Sequence, residues 1–198
     1  REVDHRVKNN LAMVSSLIRM QLRTVRGSEG RAGLDSLANR VLSLAAVHER
    51  LHRAESQDRF DVAEFVRSLG HNLLSGLGVK GVDLKIETEP AYIAPSAASS
   101  LGIILNELIT NSLKHAFPQG TGTLELIVKA TDDEVSVAVV DDGIGIDTNL
   151  PRSASLGSRL IETLSRQVGA TTLRDPVEKG TRFVVTLPAF SETQSAVS

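Results

Sequence analysis

Apolar residues in the segment 3–25 fall at Val7, Leu11, Val14, Ile18, Leu22 and Val25. Steps of three and four put them on one stripe of a helix. Gly27, Gly30 and Gly33 interrupt the pattern in a short polar loop. A second stripe resumes at Leu34, Leu37, Val41, Leu44, His48 and Leu51, close to a heptad seam. Two long helices joined by a short loop predict an antiparallel hairpin. One hairpin buries little by itself, so it is expected to pair with another, most simply in a homodimeric four-helix bundle.

The pattern changes across 54–61. Asp61 is placed to cap a helix carrying Val62, Phe65, Val66, Leu69 and Leu73. Residues 82–88 alternate as a strand, and Pro95-Ser96 opens a long helix expected to reach about Phe117. Segments 124–130 and 134–140 read as paired strands around Asp132-Asp133, 158–168 as a helix, and 171–173 and 182–187 as the last strands. Helices beside a mostly antiparallel sheet predict an α+β sandwich. The expected organisation is therefore a hairpin domain over 1–57, a sandwich domain over 58–190, and a polar tail at 191–198 too poor in apolar residues to order.

Composition narrows the classes of function. Among 198 residues, 22 Lys and Arg face 24 Asp and Glu, a formal net charge of -2. That balance gives no electrostatic reason to expect nucleic acid or an anionic membrane as the main partner. With no cysteine, disulfides and thiolate metal sites are excluded, and a reducing cytoplasm fits. No apolar run is long enough to cross a bilayer, and no signal-peptide pattern is present. The chain opens on Arg1 with a chemistry-bearing motif almost at once, so it reads as a piece of a longer protein.

The first candidate site is His5, in His5-Arg6-Val7-Lys8-Asn9-Asn10-Leu11. On an ideal helix His5 and Val7 are separated by roughly 160°. With Val7 toward a bundle core, His5 faces outward beside Asn9, Ala12 and Ser16, a small and polar docking face. Neutral imidazole is a usable nucleophile near neutral pH. An ordinary surface histidine is the plain alternative for one such residue.

The second lies in Leu105-Asn106-Glu107-Leu108-Ile109-Thr110-Asn111-Ser112-Leu113-Lys114-His115. Leu101, Leu105, Leu108 and Ser112 share one side of this helix, while Glu107, Asn111 and Lys114 share the other at i, i+4 and i+7. Hard oxygen ligands suit Mg²⁺, which often takes one or two protein oxygens alongside phosphate oxygens. Further on, Val140-Asp141-Asp142-Gly143-Ile144-Gly145-Ile146 leaves a strand and turns tightly, and its glycines let backbone approach a ligand. Gly157, in Ser155-Leu156-Gly157-Ser158-Arg159-Leu160, stands at a helix start where backbone N–H groups can bind phosphate. Gly180-Thr181-Arg182-Phe183 is either a third glycine element or a plain β-turn.

Taken together, these strings resemble sensor histidine kinases of the HisKA_2 type, related to the HWE type, from Arg1 to about Pro188. His5 to Asn10 is similar to the family's phosphoacceptor box. The Asn111 helix resembles the N box, and the Asp141 loop the G1 box, of the GHKL or Bergerat ATP-binding fold. The resemblance implies a dimerisation and histidine-phosphotransfer hairpin followed by a GHKL α/β sandwich. It further implies ATP and Mg²⁺ as cofactors: Asn111 coordinating the metal, Glu107 orienting or deprotonating the nucleophile, and Lys114 and His115 facing the phosphates. Asp141 would accept a hydrogen bond from the adenine amino group, with Gly143 and Gly145 shaping its loop. Gly157 would contact phosphate from a reduced lid, and Thr181 would belong to the terminal glycine box that supports lid and sheet.

Two departures from the larger kinase families matter. Arg6 follows His5 where those families place an acid, as the HisKA_2 and HWE types do, so Asp4 and Glu107 both stand as candidate proton acceptors. Asp142 takes a place where Asn is commoner. His48, His52 and His71 carry no motif-based role. The implied partners are a response-regulator receiver domain and a second copy of the hairpin, with no nucleic acid and no membrane contact within this piece. A histidine phosphotransferase relay that has lost ATP binding, and another GHKL protein such as an anti-sigma-factor kinase or an ATP-driven clamp, are the competing classes. The first should have decayed N and G1 boxes, and the second should lack the His5 helix.

Overall fold

Asp61 turns an extended chain into a helix. In the computed structural model, which describes residues 59–77, 79–145 and 156–191, β1 (Phe60–Asp61) runs directly into α1 (Val62–Gly76). Asp61 keeps extended backbone, and its carboxylate accepts the Glu64 N–H at 2.9 Å. This satisfies one of the donors that a helix start leaves without an intrahelical partner. Val62, Phe65, Val66 and Leu69 then form the buried face that the spacing predicts. Backbone contacts divide the chain between Gln57 and Asp58, and the described residues all belong to the second unit. The expected hairpin with His5, and all of the expected tail at 191–198 except Ser191, lie outside the described residues.

Five strands form the main sheet in the order β2 (Val82–Thr88), β4 (Gly122–Ala130), β5 (Glu134–Asp141), β7 (Thr181–Pro188), β6 (Thr171–Asp175). Only the β2–β4 pair is parallel; β4–β5, β5–β7 and β6–β7 are antiparallel. One face carries Leu124, Leu126, Val137, Val139, Val185 and Leu187, all buried. Against it pack α1, α2 (Pro95–Asn111) and α3 (Leu156–Gln167). The expected sandwich is present.

Helix α2 is the centre of the core. Pro95 suits its first turn, where the missing N–H costs nothing. Ala98, Leu101, Ile104, Leu105, Leu108 and Ile109 are then buried around its circumference. Burial of each large side chain stabilises the fold by about 1.5–3 kcal/mol.

Two features depart from the sequence reading. The α-helix does not continue to Phe117; at Asn111 it widens into one π turn (Ser112–Ala116). The Ala116 carbonyl serves a neighbouring loop, accepting the Ile144 N–H at 3.0 Å. A second, two-stranded sheet, β1 with β3 (Tyr92–Ile93), had no periodicity to announce it. It is held by Phe60 against Phe65, with ring centroids 5.3 Å apart, and by Arg59 stacked 4.1 Å over Tyr92. The Phe190 N–H donates to the Tyr92 carbonyl at 2.8 Å, tying the chain beyond β7 to this small sheet.

Candidate functional site

Asp141 is the last residue of β5 and faces the helices. Its register partners are Leu124 on β4 and Thr181 on β7, so the three side chains share one row of the sheet. Asp141 and Thr181 are both buried, at 3% and 6% exposure. A buried carboxylate needs donors, and it has them. Ser112 donates its hydroxyl to Oδ2 at 2.9 Å, and the Gly143 N–H donates to Oδ1 at 3.2 Å.

The neighbouring carboxylate does different work. Asp142 Oδ1 accepts the Thr123 N–H at 2.7 Å, and the Asp142 N–H donates to the Thr123 carbonyl at 3.2 Å. These two bonds fasten the loop to β4. An Asn could make the same pair through its amide oxygen, which explains why Asp142 can replace the commoner residue.

The loop then presses on the end of the π turn. A side chain at Gly143 would put Cβ 2.2 Å from the Ala116 carbonyl oxygen, so only glycine allows the approach. Ser112, Lys114, His115 and Ala116 all belong to that one turn. The Asp141 loop and the Asn111 helix are thereby joined at two points, Ser112 and Ala116.

Along α2 and the π turn, Glu107 is buried at 5% exposure, whereas Asn111, Lys114 and His115 are exposed. The sequence put Glu107, Asn111 and Lys114 on one face at helical spacing. The π turn changes the phase after Asn111, so Lys114 does not continue the α-helical spacing. Gly145 ends the described part of the loop with φ 72°. Gly157 is the second residue of α3 and is partly buried. His5, Asp4 and the segment 146–155 lie outside the described residues.

Ser112 is buried, like Leu101, Leu105 and Leu108, with which it shares a side of the helix. Its bond to Asp141 is the feature that spacing does not announce. The one signal is a lone hydroxyl in a leucine stripe, directly after Asn111.

This arrangement offers acceptors at Asp141, an amide oxygen at Asn111, a carboxylate at Glu107, an ammonium at Lys114 and an imidazole at His115. Among the described residues no group of three or more His, Cys, Asp or Glu is positioned to hold a metal by itself. The donor set fits Mg²⁺ that arrives with phosphate oxygens and adds one protein oxygen, that of Asn111.

Two family models divide the chain: HisKA_2, a histidine kinase family, matches residues 2–77, and HATPase_c, the histidine kinase-, DNA gyrase B- and HSP90-like ATPase family, matches 97–191. The chain belongs to the histidine kinase family. Its described part is the family's GHKL-like α/β sandwich, an ATP-binding module. The sensor histidine kinase PdtaS of Mycobacterium tuberculosis is 32% identical over 95% of this chain and 39% of its own length. The blue-light-activated histidine kinase 2 of Erythrobacter litoralis is 31% identical over 85% of this chain and 51% of its own. The chain thus spans about half, or less, of these curated relatives. Among solved structures, the histidine kinase domain of Erythrobacter litoralis EL346 superposes with a TM-score of 0.69 at 27% identity, covering 94% of this chain and 89% of that one.

Proposed function

We propose that this chain is the transmitter core of a sensor histidine kinase, which phosphorylates His5 from ATP and passes the phosphoryl group to an aspartate of a response-regulator receiver domain. The observation that carries the reading is the buried Asp141 carboxylate, held by Ser112 and Gly143 directly beside the Asn111 helix. A relay module without nucleotide would have no use for this acceptor or for the close-fitting glycine loop next to it.

In the proposed reaction the base of ATP lies against Asp141, which accepts from its amino group. Lys114, His115 and the α3 start near Gly157 take the phosphates, and Asn111 would hold Mg²⁺ with them. The metal supplies neutralisation of phosphate charge when bound. A ring nitrogen of His5 attacks the γ-phosphorus in line; the N–P bond forms as the bond to the β,γ-bridging oxygen breaks, and ADP leaves. The imidazole proton goes to a carboxylate, with Glu107 and Asp4 as candidates. Such transfer depends mainly on positioning and electrostatics. His5 must meet both the nucleotide and the receiver, so the cycle includes domain motion. A homodimer through the hairpin and a cytoplasmic setting complete the reading. No described helix is long and apolar enough to cross a membrane.

The test is incubation with γ-labelled ATP and Mg²⁺, comparing wild type with His5→Ala and Asn111→Ala. Acid-labile, base-stable label on wild type, lost in both variants, is the expected result. An unlabelled wild type that also fails to bind ATP would overturn the kinase reading in favour of a relay.

A further inference from the structure

The Ser112 hydroxyl donates to Asp141 Oδ2 at 2.9 Å in a buried setting, and Ser112 itself is only 7% exposed. The Gly143 N–H takes the other carboxylate oxygen, Oδ1, at 3.2 Å. Among the described residues each oxygen therefore has one protein donor, and a carboxylate oxygen has room for about one more. Two donors from two different elements, the π turn and the loop after β5, fix the plane of the carboxylate.

A hydroxyl has one proton. With that proton committed to Asp141, the Ser112 oxygen offers only lone pairs to anything else that approaches it. We propose that Ser112 is a positioning residue for purine selectivity, making the Ser112–Asp141 pair a surface of acceptors alone. A 6-amino purine meets such a surface with donors. A 6-oxo purine, guanine or hypoxanthine, brings a carbonyl oxygen against two buried acceptors, which is strongly unfavourable. Without Ser112 the carboxylate keeps its charge but loses one of the two bonds that orient it. This inference rests on the reading of Asp141 as the base acceptor.

The experiment measures dissociation constants of the whole chain for ATP and ITP, which differ in the 6-amino and 6-oxo groups, by competition with a fluorescent ADP analogue. Wild type, Ser112→Ala, Ser112→Thr and Asp141→Asn are compared, with thermal melts of each. Ser112→Ala is expected to lower the preference for ATP over ITP by roughly tenfold, the scale of one hydrogen bond to a charged group. Ser112→Thr, which keeps the hydroxyl, is expected to restore it. Ser112→Cys, close in volume and a weak donor, carries the same comparison should the alanine variant not fold. An unchanged ATP/ITP ratio in Ser112→Ala, or an equal loss for both nucleotides with a lower melting temperature, would overturn the selectivity role while Asp141→Asn still abolished the preference. A wild-type ratio in Asp141→Asn would instead overturn the base-acceptor reading beneath it.

Discussion

Gly180 and the backbone of Asp141 approach more closely than any side chain allows: a Cβ at Gly180 would stand 1.8 Å from the Asp141 carbonyl oxygen. Gly180 also has φ 80°, a left-handed conformation that costs other residues on the order of 1–3 kcal/mol. This contact brings Thr181 beside Asp141 where β5 and β7 pair. Gly180→Ala is therefore expected to destabilise the fold by at least about 2 kcal/mol and to weaken ATP binding as the two strands shift. Urea unfolding followed by nucleotide titration checks both, and a wild-type midpoint would contradict the contact.

Asn111 and Glu107 sit one turn apart but in opposite environments, the first exposed and the second 5% exposed. Asn111→Ala should leave stability within about 0.5 kcal/mol, as surface changes usually do, yet remove Mg²⁺-dependent labelling from ATP. Glu107→Gln preserves volume while removing one of the two candidate bases and is expected to lower autophosphorylation by about a hundredfold or more, with ATP binding kept. Equal labelling rates in Glu107→Gln and wild type would point to Asp4 as the proton acceptor.

Asp142 offers a cleaner separation of shape from charge. Asp142→Ala leaves the Thr123 N–H without its side-chain acceptor and should cost about 1–3 kcal/mol. Asp142→Asn keeps an acceptor oxygen and should behave like wild type in both melting and ATP affinity. Loss of binding in the asparagine variant would mean that the negative charge itself matters.

Asp61 supplies the control at the far end of the unit. Removing its cap on Glu64 in Asp61→Ala should cost about 1 kcal/mol without changing ATP affinity at nucleotide concentrations where the chain is folded. A selective loss of ATP binding would show that α1 communicates with the site.

Alternation and helical spacing revealed the strands and helices because burial on one face imposes those periods. Val82, Leu84 and Ile86 announce β2, but nothing in them says that its partner is β4 and that the pair is parallel; pairing over that sequence distance depends on the whole fold. β1 and β3 have two residues each, too short for any period. The N and G1 strings point to Glu107, Asn111 and Asp141 as candidates through resemblance. The Ser112 bond and the π turn depend on contacts between segments distant in sequence, which spacing does not encode.

Gly143 tests whether the loop must touch the π turn for nucleotide to bind. Adding one methyl would bring Cβ to 2.2 Å from the Ala116 carbonyl oxygen and 2.5 Å from its Cβ, so one of the two segments has to move. The Ile144 N–H bond to Ala116 would then stretch or break, at about 1 kcal/mol, and the Gly143 donor would shift away from Asp141 Oδ1. Loops tolerate such shifts better than cores, so Gly143→Ala should lower stability only modestly. Its effect on ATP should be larger, about tenfold or more in affinity, because the acceptor and the Lys114–His115 turn would no longer keep their spacing. Isothermal titration beside a thermal melt separates the two effects. A variant that melts early but binds ATP normally would mean that the contact serves the fold alone.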